Sequence, residues 1–580
     1  MNLGRSSRQI RFGHFEMDVS ARELCKNGVK IKLQDQPIQI LQILIERAGE
    51  IVAREELRNR VWPSDTFVDF DHAINNAINR LREALGDTAD TPRYVETVPR
   101  RGYRFIGHLE VSKKEADNSI QSVAVLPLEN LSRDPEQEYF ADGMTEALIT
   151  SLAKISALRV TSRTTVMKYK SVRDKSSPEV ARELGVDRIV EGTVLRSGDR
   201  VRISVQLIDG CSDTHLWAES YERDLQDVLA LQSEVARAIA NEIQVKLTPE
   251  EQVQLRRTRR VVAEAYEAYL MGRHNWNKRN PEGLAKGVAY FQQAIDIDPT
   301  YAAPYAGLAD SQSRLGFFTD VAPEEGCARG KAAALKAIEM DNTLAEGYVA
   351  LGFASLHYDF DIVAAEDATQ QALELDARNA LARQMRACCL MARGQSEAAV
   401  VEILRAVHLE PLNLALHFTA ASFHYMARRY DEAIALSQKA IELDSNFAPL
   451  RWAMSLAFVQ KQMCEQAVAH MEQAVEISRK GPYFLGSLGH VYAAAGRNQD
   501  ALRVVDELEE MSKKRHISPY WNGMIYAALP EKKDEAFIWL ERAREEHAPW
   551  MAYIKAPPWF DNLRSDRRYY SLLQRMKIPI

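Results

Sequence analysis

The residues best suited to contact nucleic acid lie between positions 68 and 85. Apolar residues recur there every three or four positions, which predicts a helix that buries one face; they are Ile74, Ile78, Leu81 and Leu85. The candidate contact residues of its polar face are His72, Asn75, Asn76, Asn79, Arg80 and Arg82. An asparagine amide pairs with adenine through two hydrogen bonds, and an arginine guanidinium pairs in the same way with guanine. The pattern therefore predicts a helix that contacts the bases and phosphates of duplex DNA.

A basic turn follows this helix. Residues 94–98 and 103–106 have the composition of two strands, and a Pro-Arg-Arg-Gly sequence at 99–102 joins them. Because proline and glycine favour a tight turn, both arginines are expected at its tip, where they would meet a phosphate or the minor groove. The candidate DNA-binding residues of this hairpin are Arg100, Arg101 and Tyr103. A helix followed by a basic hairpin predicts a winged helix.

Residues 8–108 resemble the winged-helix domain of OmpR/PhoB-type regulators. The resemblance is carried by Gly49, Arg54-Glu55-Glu56-Leu57, Trp62, Arg80-Leu81-Arg82 and Gly102-Tyr103-Arg104-Phe105. The chain departs from the family pattern at the turn, where the family commonly has Arg-Gly-x-Gly, and on the helix, where asparagines replace basic residues. The resemblance implies DNA binding by the helix and the turn, but it does not imply a particular DNA sequence.

The middle of the chain is expected to form a small α/β domain over residues 120–249, after a polar linker at 109–119. It resembles the TolB amino-terminal domain through the segments VAVLPLEN, YFADGMTEALITSLAKI, GVDRIVEGTV and HLWAESYERDL. No phosphate-binding glycine loop or nucleophile motif occurs in it. Asp142, Glu146 and Glu191 are interpreted either as a polar ligand site or as solvated and helix-capping carboxylates.

From residue 263 to residue 580 the sequence repeats. Alanines 34 residues apart mark the repeat; they are Ala365, Ala399, Ala433, Ala467 and Ala501. The period resembles that of the tetratricopeptide repeat and implies an all-α solenoid of helix pairs whose concave groove binds extended segments or helices of a partner. An insertion near 316–325 is expected to form a loop that carries Phe317 and Phe318. The amphipathic end of the chain is expected to cap the last repeat.

Composition excludes several classes of protein. A chain of 580 residues with a net charge of −7 is long enough for several domains. The six cysteines show no metal-ligand spacing, and no apolar run of about 18 residues is present. We therefore expect a cytoplasmic protein with no membrane span, no metal, no cofactor and no enzymatic activity.

Two functional hypotheses remain at this level. The first is a sequence-specific DNA-binding transcriptional regulator whose repeats sense or recruit RNA polymerase or another protein or peptide. It could act as a homodimer on double-stranded DNA. The alternative is an interaction scaffold that uses both the winged helix and the repeats for protein contacts and binds no DNA. The predicted fold class is multidomain: an α+β winged helix, a small α/β domain and a solenoid with a C-terminal capping helix.

Overall fold

The chain divides into two compact units, Met1–Ser119 and Ile120–Ile580. The computed structural model describes residues 9–18, 23–26, 29–31, 33–62, 70–99, 101–107, 110–111, 121–132, 134–170, 172, 175–245, 247–256 and 259–579. The two domains expected at 120–249 and 263–580 both lie within the second unit. Among the described residues, no helix is long and apolar enough to cross a membrane.

The first unit is a winged helix. Its elements are β1 (Gln9–Phe12), β2 (Phe15–Asp18), β3 (Glu23–Lys26), β4 (Val29–Lys30), α1 (Asp35–Glu46), β5 (Ile51–Ala53), α2 (Arg54–Val61), α3 (Phe70–Leu85), β6 (Val95–Val98), β7 (Gly102–Phe105) and β8 (Glu110–Val111). An antiparallel sheet has the order β4-β3-β2-β1-β8, and a second has the order β5-β7-β6. A continuous core joins sheets and helices through residues such as Phe12, Leu41, Leu81 and Phe105.

The second unit begins with a mixed sheet. Its strands are β9 (Gln121–Val125), β10 (Glu129–Asn130), β11 (Leu158–Val160), β12 (Arg188–Ser197), β13 (Arg200–Asp209) and β14 (His215–Asp224). The order is β11-β9-β12-β13-β14: the first three strands are parallel, and the last three form an antiparallel meander. The accompanying helices are α4 (Glu138–Ala153), α5 (Arg163–Val166), α6 (Ser177–Leu184), α7 (Val228–Glu242) and α8 (Pro249–Arg256).

A helical solenoid follows. Its helices are α9 (Ala263–Trp276), α10 (Pro281–Ile297), α11 (Ala302–Phe318), α12 (Arg329–Met340), α13 (Ala345–His357), α14 (Ile362–Leu375), α15 (Ala380–Ala392), α16 (Ser396–Leu409), α17 (Leu414–Met426), α18 (Tyr430–Ile441), α19 (Ala448–Gln460), α20 (Cys464–Ile477), α21 (Pro482–Ala494), α22 (Asn498–Ser512), α23 (Pro519–Ala527), α24 (Lys533–Glu545) and α25 (Arg567–Arg575). Consecutive helices pack as pairs. The five alanines of the 34-residue series are completely buried, because a larger side chain would separate the paired helices.

The insertion near 316–325 was predicted to form a loop, but its first residues belong to a helix. α11 continues through Phe318, and a π-helical turn covers Glu324–Ala328. The Phe317 ring packs on Phe353 at 5.6 Å between centroids instead of standing on the surface. Gly316 lies against Gly326, so the π-helical turn can pack directly on the end of α11.

The inner face of the solenoid is filled by the chain itself. Two short 3₁₀ segments, Pro549–Tyr553 and Pro558–Leu563, precede α25. Trp550 is 5.3 Å from the ring of Phe317, on α11, and 5.6 Å from that of Trp452, on α19. Tyr553 Oη lies 2.8 Å from His357 Nε2, on α13. These residues therefore contact the first helices of several repeats, where the sequence predicted a groove for a partner.

Asp142 and Glu146 of α4 form ion pairs within the second unit. Glu146 accepts hydrogen bonds from Arg273 of α9 and from the Asn277 amide at 3.1 Å, and it lies 3.2 Å from Arg163. Asp142 accepts one from Lys170. The interpretation of these two carboxylates as solvated or helix-capping groups was wrong, because α9 packs on α4 and buries them. Glu146 connects the sheet-containing region to the first repeat, and Asp142 lies 3.7 Å from His274 Nδ1 of α9.

Candidate nucleic-acid interface

α3 presents one polar row to solvent. Ile74, Ala77, Ile78, Leu81 and Leu85 are buried in the core of the first unit. The exposed residues are His72, Asn75, Asn76, Asn79, Arg80 and Glu83. Their spacing of three or four residues places them along one side of the helix. The structure therefore brings together five of the six helix residues predicted from the sequence.

Asn76 and Asn79 have exposed amide groups one helical turn apart. Within the described part of the chain, neither side chain has a hydrogen-bond partner. Each amide therefore retains a donor and an acceptor on the same side chain, which is the arrangement that bidentate pairing with an adenine edge requires.

Asn75 is held by its neighbours. Its Oδ1 accepts hydrogen bonds from Tyr103 Oη at 2.8 Å and from Arg54 Nη2 at 3.0 Å. The same Arg54 nitrogen is 2.9 Å from Tyr103 Oη. These contacts join α2, α3 and β7, and they occupy the carbonyl that bidentate adenine pairing would use. Asn75 therefore positions the hairpin on the helix and has its amide N–H groups left to donate.

Tyr103 does not face solvent as the sequence analysis assumed. Its side chain is 2% exposed and belongs to the core, while its hydroxyl bonds to Asn75. β7 is the central strand of its sheet, so its backbone pairs with β5 on one side and β6 on the other. Tyr103 is better described as a positioning residue than as a DNA contact.

Arg82 is also misplaced by the sequence analysis. It is 6% exposed, and its Nη2 donates to the Val95 carbonyl and to Thr97 Oγ1, both at 2.8 Å. Position 82 follows Ile78 by four residues and precedes Leu85 by three, so it lies on the apolar face of α3. Arg82 fixes β6 on the helix and cannot reach a duplex. Arg80, by contrast, remains exposed and donates to Gln34 Oε1.

The hairpin turn depends on Gly102. Its φ is +147°, and a Cβ at this position would lie 2.0 Å from the Val52 carbonyl oxygen. β7 can therefore approach β5 only with glycine at this point. Arg104 of β7 donates a hydrogen bond to Glu96 of β6 at 2.6 Å, which holds the two strands of the hairpin together. Arg101 is exposed at the tip of the turn, whereas Arg100 lies outside the described residues.

Two arginines of α2 lie at this surface but were not among the residues predicted from the sequence. Arg54 is the centre of the contacts to Asn75 and Tyr103. Arg58 is exposed beside the start of α3, with its guanidinium carbon 5.0 Å from the centre of the Phe70 ring. Their charges could have been noticed in the sequence, but only the packing of α2 on α3 brings them to this surface.

The loop between α3 and β6 is organised by Asp87. Its carboxylate accepts hydrogen bonds from the backbone N–H groups of Thr88, Arg93, Tyr94 and Val95, at 2.7 to 2.9 Å. Burial by itself would raise the pKa of Asp87, but these four donors together hold it below the usual value. The charge of Asp87 therefore fixes the start of the hairpin relative to α3.

We expect Asp87→Asn to lower the free energy of unfolding of residues 1–119 by about 2 kcal/mol at pH 7, because an amide cannot satisfy the same set of donors. The folded-state pKa is lowered, so the stabilisation is complete above the unfolded pKa of about 4 and is lost as the pH falls below it. Urea unfolding followed by circular dichroism between pH 3 and pH 7 measures this, with the exposed Asp90→Asn as control. If the free energies of unfolding of the wild type and Asp87→Asn differed by the same amount at every pH in this range, the charge of Asp87 would not be the source of the stabilisation.

Two sequence families match the chain. The family described as transcriptional regulatory protein, C terminal, matches residues 28–105. The family described as HilA/YgeH-like transcriptional regulator, second domain, matches residues 119–238. The first match contains α1 to β7 and so includes the candidate interface. The resemblance of the middle region to the TolB amino-terminal domain stays a prediction.

The relatives match very different fractions of this chain. The transcriptional regulator HilA of Salmonella typhimurium is 22% identical over 562 residues, which cover 93% of this chain and 97% of HilA. The putative adenylate cyclase 3 of Rhizobium meliloti is 42% identical over 188 residues, so the chain spans 32% of that relative's length. The solved DNA-binding domain of Klebsiella pneumoniae RstA, in complex with the RstA box, is 31% identical; it covers 17% of this chain and 98% of that domain, with a TM-score of 0.16.

The first unit is thus a winged-helix DNA-binding domain of the OmpR/PhoB type. Several other homologues of the chain are transcriptional regulators and activators that carry this domain. A solenoid of paired helices forms the C-terminal region.

Proposed function

We propose that this chain regulates transcription by binding promoter DNA in a sequence-specific manner. In this proposal α3 enters the major groove, Asn76 and Asn79 contact base edges, and Arg101 contacts a phosphate. The observation that carries the proposal is the pair of unpartnered amides on α3, next to a hairpin whose exposed tip is basic. His72 and Arg80 lie on the same exposed row, and Arg100 adjoins Arg101 in the sequence, so we include these three in the contact set.

The second unit is proposed to connect DNA binding to a protein partner, either RNA polymerase or another protein or peptide. Because the inner face of the solenoid is occupied by Trp550 and its neighbours, we place partner contacts on the outer helices. We propose no enzymatic role, since the match to a putative cyclase covers only 32% of each chain. Access to a promoter requires the cytoplasm, which is therefore the proposed location.

Binding of the full chain to genomic fragments tests this function. We expect Arg101→Ala to weaken binding to all sequences by roughly fivefold and to reduce the slope of log affinity against log salt by about 1. We expect Asn76→Ala to relax discrimination at one base pair by about 1 to 3 kcal/mol. Fluorescence anisotropy with single-base variants of a selected site measures both effects.

Arg47→Ala is the matched control, because its guanidinium is already paired with Glu50 and Glu56 at 2.8 and 2.9 Å. Normal binding by both interface variants would place the contact surface elsewhere. Absence of salt-sensitive DNA binding by the wild-type chain would reject the regulator and favour the interaction scaffold.

A further inference from the structure

The strand β14 forms an open edge of the sheet in the second unit. It has ten residues, pairs with β13 on one side, and has no further strand beside it among the described residues. Most of its residues are exposed, including Leu216 at 44%. Its sequence, HLWAESYERD, contains no proline that would remove a backbone donor, and the irregularity in its pairing with β13, opposite Leu207 and Ile208, lies at the other end of the strand from Arg223. Its outward backbone groups can therefore accept another strand.

The space beside this edge suits the side chains of an added strand. An open cleft of about 770 Å³ lies between β14 and α7. Its polar lining comes from Glu219 and Tyr221 of β14, from Glu234, Arg237 and Asn241 of α7, and from Gln252 of α8. Arg223 of β14 also points to this side, since it donates to Glu234 at 2.8 Å. Charges of both signs therefore line one side of the open edge.

We propose that the occupant of this edge is β14 of a second copy of the chain, running antiparallel about a two-fold axis through Tyr221. This register places Glu219 of each copy opposite Arg223 of the other, on the side of the sheet that faces α7. Ser220 then lies opposite Glu222, and no two like charges face each other. Cross-strand pairs of opposite charge stabilise such a register, whereas like charges destabilise it.

Other registers fit less well. An axis through Glu219 or through Glu222 brings two carboxylates directly opposite each other. An axis through Ser220 avoids this clash but gives no pair of opposite charge. The charge pattern of β14 is thus complementary to itself in the Tyr221 register, which favours a second copy over an unrelated peptide.

Such a dimer would carry two winged helices in one particle. This consequence rests on the proposed function, because binding at one DNA site would raise the effective concentration of the second winged helix near an adjacent site. The self-association itself does not depend on DNA.

Sedimentation equilibrium of the full chain tests the dimer. We expect twice the mass of one chain at micromolar concentrations. Glu219→Arg and Arg223→Glu should each raise the dimer dissociation constant by about tenfold or more, since each places two like-charged pairs in the interface. The double variant with both changes should recover to within about threefold of the wild type, because it restores both pairs with reversed polarity.

The control is Arg202→Glu, which also breaks an exposed pair, with Glu222 at 2.8 Å, but lies on β13 away from the edge. It should leave the dissociation constant unchanged. A wild-type chain that stays monomeric at these concentrations would overturn the proposal, even if its edge bound a foreign strand. So would a dimer that responds equally to all variants or that the double exchange does not restore.

DNA binding separates this inference from the proposed function. Arg223→Glu should bind a fragment with one site as the wild type does, but should lose the gain in affinity on a fragment with two adjacent sites. Loss of binding to one site would point to a defect in the winged helix. Equal gain on two sites for both proteins would reject β14 as the surface that joins the copies.

Discussion

Replacing Trp550 by alanine is expected to lower the free energy of unfolding of the second unit by about 4 kcal/mol. The side chain is 5% exposed, and its ring lies within 5.3 to 5.6 Å of Phe317, Trp452 and Tyr483. Removing the indole leaves a cavity bounded by α11, α19 and α21, whose backbones are held apart by their own helix pairs and cannot close it. Denaturation by urea, followed by circular dichroism at 222 nm, measures the loss.

The matched control is Trp539→Ala in α24. Trp539 is only half-buried, so its removal should cost about 1 kcal/mol. Binding of the Trp550 variant to a single DNA site should stay at the wild-type level, because the first unit has its own core. If Trp550→Ala were no more harmful than Trp539→Ala, the segment at 549–563 would be a surface cover and the inner face would be available to a partner.

Glu146→Gln is expected to destabilise the second unit by about 3 kcal/mol at pH 7. The side chain is 13% exposed and faces Arg273 and Arg163, whose side chains are 17% and 19% exposed. Burial acts to raise the pKa of Glu146, but the two guanidiniums outweigh it and lower the pKa. Neutralising the carboxylate leaves both cations between α4 and α9 without their charge partner.

The stability difference between wild type and Glu146→Gln is expected to change with pH in one direction. Because the folded-state pKa of Glu146 is lowered, its contribution is complete above the unfolded pKa of about 4.3 and disappears as the pH falls below that value. The difference between wild type and Glu146→Gln should therefore shrink in acid. Glu282→Gln, which breaks an exposed pair with Lys286, is the control and should change stability by less than about 0.5 kcal/mol. Equal losses for both variants would show that the pair at Glu146 is not buried in solution.

The candidate interface could be predicted only in part. The spacing of Ile74, Ile78 and Leu81 placed Asn76 and Asn79 on the exposed face of α3, as the structure shows. The same helix buries Arg82, which the sequence analysis assigned to DNA because of its charge. The spacing of the apolar residues already indicated that position 82 lies on the buried face of α3, but it did not indicate the partners of Arg82 on β6. The carbonyl of Val95 and the hydroxyl of Thr97 satisfy the buried guanidinium only after the hairpin has packed on the helix.

Tyr103 and Arg54 illustrate the same limit. A tyrosine after a basic turn is a plausible DNA contact, and an arginine at the start of α2 has no evident partner in sequence. Their hydrogen bonds to Asn75 join residues that are 28 and 21 positions apart. Contacts over such distances depend on how the elements pack, which no local pattern specifies.

The sequence by itself determined the winged helix, the helical repeat and the polar row of α3. In each of them, apolar or small residues recur at a regular spacing along the chain. Only the tertiary structure decided that the C-terminal segment fills the inner face of the solenoid and that Glu146 joins the α/β region to the first repeat. The reason is physical. A period fixes which face of an element must be buried, but the partner that buries it is chosen by packing and charge between segments far apart in the chain.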